Sequence, residues 1–138
     1  MTLDQAITEL RNRNQKVPLP LRLPTRDEVQ ECEQWLGLRF HPDFVYYLLH
    51  ASDIVYGTKE PVTITRPTAH THLESVARDA WTKMELPKSL LPICENNGDY
   101  FCIEQSGRVV YWSHGGSTNE SWPDLATWIA DVWIGESG

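Results

Sequence analysis

Two glycine turns, Asn97-Gly98 and Ser106-Gly107, set nine residues apart, constrain this chain more than any other feature. They divide the stretch from Leu91 to Ser113 into three short runs rich in β-branched and aromatic residues. The reading is strand (Leu91 to Glu95), turn (Asn96-Asn-Gly98), strand (Asp99 to Gln105), turn (Ser106-Gly107) and strand (Arg108 to Ser113). Loops this short join antiparallel neighbours, so the segment must be a meander and not part of a parallel, helix-crossed sheet. A two-residue loop at Ser106-Gly107 predicts that Ile103 faces Val110, Phe101 faces Trp112 and Asp99 faces His114. That register sends Phe101, Ile103, Val110 and Trp112 to the core. It leaves Tyr100, Cys102, Glu104, Val109 and Tyr111 on a mixed second face.

Helices surround this meander. Thr2-Leu-Asp-Gln5, Thr25-Arg-Asp-Glu28 and Thr71-His-Leu-Glu74 each fit the capping box, in which a hydroxyl and a Glu or Gln side chain satisfy each other's backbone donors. The first helix, placed over 3–14, would bury Leu3, Ala6, Ile7 and Leu10. The second would bury Val29, Cys32 and Leu36 and end at Gly37 in the left-handed conformation. A short helix follows Pro42, over Asp43 to His50. Leu73, Val76, Ala77, Ala80, Trp81 and Met84 draw one apolar stripe, and so do Leu125, Trp128, Ile129, Val132 and Trp133 in a last helix starting near Ser121-Trp-Pro-Asp124. Pro61 to Thr65 is expected to be a short strand at an edge or an end of the sheet. The proline-rich connector, 16–24, is expected to lie across the body on Leu19, Leu21 and Leu23. The fold class is therefore α+β: one domain over 1–138, an antiparallel twisted meander packed with four to five helices, its core at 25–134.

Charge narrows the partners. The chain carries 12 Lys+Arg against 19 Asp+Glu, a net −7, and from Ser89 to Gly138 Arg108 is the only base among seven carboxylates. A nucleic-acid binder needs a stripe of cations to displace counterions from phosphates, and none is present. Nucleic acid and anionic membrane are thus disfavoured; an acidic face suits a basic partner, although soluble proteins are often acidic with no partner to match. Cys32, Cys94 and Cys102 are odd in number and lack C-x-x-C spacing, so they read as buried thiols of a reducing compartment. With no secretory h-region and no long apolar run, the expected location is cytoplasmic.

Few residues suggest catalysis. His70-Thr-His72 has chelating spacing on a strand, yet it straddles the predicted start of a helix. Asp99 opposite His114 resembles an acid–base pair, but no nucleophile or oxyanion donor accompanies it. No phosphate-binding loop or nucleophile elbow is present. No metal or cofactor is expected. A small metal-dependent hydrolase using His70, His72, His114 and Asp99 is the rival reading. Six tryptophans are numerous for 138 residues. Trp81, Trp128 and Trp133 lie on apolar stripes, whereas Trp35 and Trp122 are less committed to a core.

Leu91 to Cys94, Gly98-Asp99-Tyr100-Phe101, Gly107 and Val109-Val110-Tyr111-Trp112-Ser113-His114, followed by an aromatic-entered helix from Trp122 to Trp133, resemble the SUKH superfamily. Upstream, Val29, Cys32-Glu33, Leu36-Gly37-Leu38, Pro42-Asp43-Phe44 and Tyr47-Leu48-Leu49 look like its helix–Pro–helix opening. That group includes fungal regulators of cell-wall synthesis and bacterial toxin-immunity proteins. Where many members have Asn-Gly-Gly, this chain reads Ala51-Ser-Asp-Ile-Val-Tyr-Gly57, which places it in a divergent branch. The resemblance implies a non-enzymatic domain that binds another protein, such as an immunity protein holding a basic toxin domain, or else a regulatory scaffold of a larger assembly. The expected contact residues are Asp53, Tyr56, Glu95, Asn97, Asp99, Tyr100, Glu104 and Tyr111.

Overall fold

A computed structural model describes residues 1–113 and 116–136. Four helices come first: α1 (Leu3–Asn12), α2 (Arg26–Leu36), α3 (Pro42–Ala51) and α4 (Leu73–Lys83). The meander follows as β1 (Leu91–Asn96), β2 (Asp99–Ile103), β3 (Val109–Ser113) and β4 (Gly116–Trp122), antiparallel in the order β1-β2-β3-β4. A short α5 (Leu125–Trp128) runs into a π-helical turn, Ile129–Ile134, and closes the chain.

Local chemistry accounts for most boundaries. Thr2 and Thr25 each accept from the third helical N–H while Gln5 and Glu28 reach back to the cap, as the capping-box spacing predicts. Gly37 ends α2 at φ 75°, where its N–H bonds to Glu33 O, and Pro42 opens α3 behind His41. The Thr71 box does not form. Thr71 O accepts from Thr63 N and its hydroxyl lies 3.1 Å from that of Thr63, so His72 becomes the cap residue of α4. α1 ends at Asn12, two residues short of the expected limit.

The β2–β3 register differs from expectation by one residue. Ile103 faces Val109, Phe101 faces Tyr111 and Tyr100 faces Trp112. The connection has three loop residues, Gln105-Ser-Gly107, closed by Glu104 N donating to Arg108 O, with Gly107 at φ 92°. This is the three-residue hairpin with a left-handed last residue, and each added loop residue shifts the pairing. Phe101, Ile103, Val109 and Tyr111 therefore share one face, and Tyr100, Cys102, Val110 and Trp112 share the other. Tyr100 to Ile103 are all buried, so both faces of β2 are covered.

Three further expectations are corrected. Pro61 to Thr65 is no strand: Pro61 bridges Cys94 at the open edge of β1, and Thr63 bridges His72. The prolines flanking this segment limit its backbone donors, which leaves isolated bridges in place of a ladder. Ser121 and Trp122 belong to β4, and Asp124 is the cap of α5. On the connector, Leu19 is 75% exposed and Leu23 also faces solvent. Backbone bonds hold it instead, with Thr65 Oγ1 donating to Arg22 O and Arg66 to Leu19 O.

The core joins helices to sheet through aromatic rings. Phe44 stacks near Tyr47, Tyr47 meets Trp133, Trp133 meets Trp128, and Trp128 lies 5.4 Å from Phe101. The buried Tyr47 hydroxyl donates to Val62 O at 2.7 Å. Trp122, on β4, contacts Phe101 edge-on. In the last turn Gly135 N–H donates to Ala130 O, five residues back, which defines the wider winding.

Candidate functional site

The sheet end built by the β1–β2 turn gathers several of the expected contact residues. Asn97 and Gly98 both adopt positive φ, 53° and 89°, which is what a two-residue turn between right-twisted strands requires. This turn sets Asn96 opposite Asp99. The Tyr111 hydroxyl donates to Asp99 Oδ2 at 2.8 Å and accepts from Asn96 Nδ2 at 3.3 Å. Partial burial raises the Tyr111 phenol above its ordinary value, donation from Asn96 opposes this, and the carboxylates of Asp99 and Glu120 add to it. Glu95 stands exposed beside Tyr100, its partner across β1–β2. The result is a carboxylate rim that spans both faces of the sheet end: Asp99 and Glu120 flank Tyr111 on one side with Asn96, and Glu95 stands on the opposite, Tyr100 side.

The other named residues lie elsewhere. Glu104 sits at the far end of β2, beside the hairpin tip, within 3.5 Å of Arg108 and bonded by Ser106. Asp53 is held bidentately by Arg11, at 2.8 and 2.9 Å, and Arg11 also donates to His50 O. That clamp ties α1 to the end of α3. Tyr56 lies beneath Arg13, and its carbonyl accepts from Trp133 Nε1. Tyr100 is only 5% exposed and lies on the face opposite Tyr111, its ring against Trp112. The eight residues thus form a sheet-end group, a hairpin-tip position and an α1–α3 patch. Glu120 and Asn96 were missed in the sequence because only the fold brings β4 and the turn beside Tyr111.

The residues of the hydrolase reading are dispersed. His70 Nε2 pairs with Glu60 Oε2 at 2.8 Å on the surface. His72 is 8% exposed, with Nε2 3.7 Å from Glu74. Asp99 is bonded by Tyr111, and His114 lies outside the described residues. No group of three His, Cys, Asp or Glu able to hold a metal ion occurs among the described residues. Burial lifts all three thiols, Cys32 and Cys94 to about 12 and Cys102 further still, so they are poor nucleophiles at neutral pH. No helix among the described residues is long and apolar enough to cross a membrane.

Comparison with known proteins agrees with this architecture. A crystal structure of a protein from Pseudomonas syringae pv. tomato superposes with a TM-score of 0.92 at 42% identity, covering 96% of this chain and 98% of that one. No curated protein matches the chain. The SUKH_5 family, SMI1-KNR4 cell-wall, matches residues 3–134.

Proposed function

Because the chain belongs to the SUKH_5 family, SMI1-KNR4 cell-wall, whose domains act as binding modules, we propose that it is a non-enzymatic domain that neutralises a bacterial toxin by direct contact in the cytoplasm. The observation that carries this reading is the carboxylate rim at the β1–β2 turn. There Tyr111 is fixed between Asn96 and Asp99, and Arg108, the one Lys or Arg of the last 50 residues, is paired with Glu104. A rigid aromatic among surface carboxylates suits a basic partner surface, because opposite charge accelerates encounter and an ordered ring loses little entropy on docking. Glu95, Asn97, Asp99 and Tyr111 are the proposed centre of contact, with Tyr100 beside Glu95 and Glu104 at the periphery. Asp53 and Tyr56 are proposed as a separate part of the same partner's footprint.

Co-expression with a basic toxin domain, sought first in the reading frames beside this chain's own, tests the proposal. Growth should be restored by the wild-type chain. Glu95→Lys with Glu104→Lys should slow association at least tenfold and weaken its salt dependence. Association that is unchanged in rate and salt dependence removes the steering argument. The cell-wall description of the family supports a second reading, a regulatory scaffold in a larger assembly. It predicts a stable complex and no rescue from toxicity.

A further inference from the structure

A second surface has the opposite electrostatic character. Between the end of α2 and α4 lies a cleft of about 220 Å³ lined by Trp35, Leu36, Arg78, Trp81, Thr82 and Lys88. Trp35 is 50% exposed, the most open of the large aromatic side chains, although it sits on a helix with an apolar face available. The Arg78 guanidinium stands 4.3 Å from the Trp35 ring centre, and Lys88 Nζ stands 6.0 Å from that of Trp81. Trp81 is pinned from within by its indole N–H, which donates to Leu90 O. Arg78 and Lys88 are both exposed, and among the described residues neither enters an ion pair; the nearby Lys83 is already matched by Asp79.

Two unmatched cations resting on aromatic faces are unexpected in a chain of net charge −7. Such stacking orders long side chains in advance, so that less entropy is lost when an anion arrives. Size decides what kind of anion. Small-molecule and cofactor pockets run from about 300 to 1,000 Å³, whereas this cleft has room for a single side chain. Tryptophan and arginine are also the residues that anchor protein interfaces most strongly.

We propose that this cleft docks an acidic segment of a partner protein, with one apolar or aromatic side chain between Trp35 and Trp81 and flanking carboxylates on Arg78 and Lys88. It is independent of the acidic rim and stands whether or not that rim binds a toxin.

The test uses the full chain labelled with 5-fluorotryptophan, its Trp35 and Trp81 signals assigned through Trp35→Phe and Trp81→Phe. The probe is the end-blocked peptide Glu-Asp-Phe-Asp-Glu. It should shift those two signals saturably at millimolar concentration, and 0.5 M NaCl should weaken the effect at least threefold. Lys88→Glu should weaken it at least threefold and Arg78→Glu with Lys88→Glu at least tenfold. Both side chains are exposed, so circular dichroism should show the fold retained. Equal shifts from Lys-Arg-Phe-Arg-Lys, or undiminished binding by the double variant, would overturn the proposal. Tighter binding of AMP at the same two signals would overturn it in favour of a nucleotide site.

Discussion

A side-chain carbon placed on Gly107 would lie 2.6 Å from Nε2 of His41, so the tip of the β2–β3 hairpin is packed against the ring that opens α3. The ring cannot readily retreat, because its Nδ1 accepts from Asp43 N, and Gln105 Nε2 donates to Arg39 O beside it. Gly107 also holds φ 92°, a region costly for any side chain. Gly107→Ala should therefore destabilise the protein by about 2–3 kcal/mol, combining backbone strain with collision. Ser106→Ala, one residue away and exposed, should cost well under about 1 kcal/mol. Urea unfolding of both variants checks the contrast.

Glu28 gives a pH signature. Arg22 clamps its carboxylate bidentately and Thr25 N–H donates to it, which lowers its pKa to about 2. A carboxyl depressed in the folded state stabilises above its unfolded pKa, near 4.3, and the gain is lost as pH falls through about 2. The pair is open to solvent, so screening limits the effect to about 1 kcal/mol. Glu28→Gln should thus be less stable than wild type by that amount at pH 7, with the gap narrowing below pH 4 and nearly closed at pH 2.

How much of this was legible in the sequence follows from how local each determinant is. The boxes at Thr2 and Thr25 are written within four residues, and both form. The Thr71 box has the same letters, yet Thr63, eight residues away, takes up its hydroxyl and carbonyl. The meander was legible from its glycines, but its register rests on whether Gln105 belongs to a strand or a loop, and the bond from Glu104 N to Arg108 O puts it in the loop. β4, Gly116–Trp122, has no alternation of apolar residues and pairs because β3 offers an edge. The rim's acids were visible one by one. Their association through Tyr111 needed the corrected register, which puts Asp99 and Tyr111 on one face.

Tyr111 should titrate detectably late. Spectrophotometric titration of wild type against Tyr111→Phe isolates its transition, expected above the ordinary phenol value of about 10. Asp99→Asn should move it down without returning it to that value, because burial is the larger cause. A transition unchanged by Asp99→Asn would show that the hydroxyl does not lean on that carboxylate.

Cys32, Cys94 and Cys102 are buried free thiols held protonated by burial. The native chain at pH 8 should release fewer than one equivalent of chromophore from a disulfide reagent within minutes. In denaturant it should release three. Prompt reaction of the folded chain would place at least one thiol nearer to solvent than described.

The wide last turn has a consequence for how this chain tolerates changes in length. Five residues of ordinary α-helix turn through about 500°, which would point Trp128 and Trp133 about 140° apart. In the wider π winding each residue turns through less, so the same five residues overshoot a full circle by a smaller angle, and the two rings meet at 6.3 Å. An α-helix one residue shorter would align them equally well, four positions apart. The segment therefore carries one residue of slack, and exposed Asp131 is the residue that can be spared. A chain lacking Asp131 should keep both rings on the core and tighten to regular winding, whereas an added residue at the same place has no wider turn to absorb it.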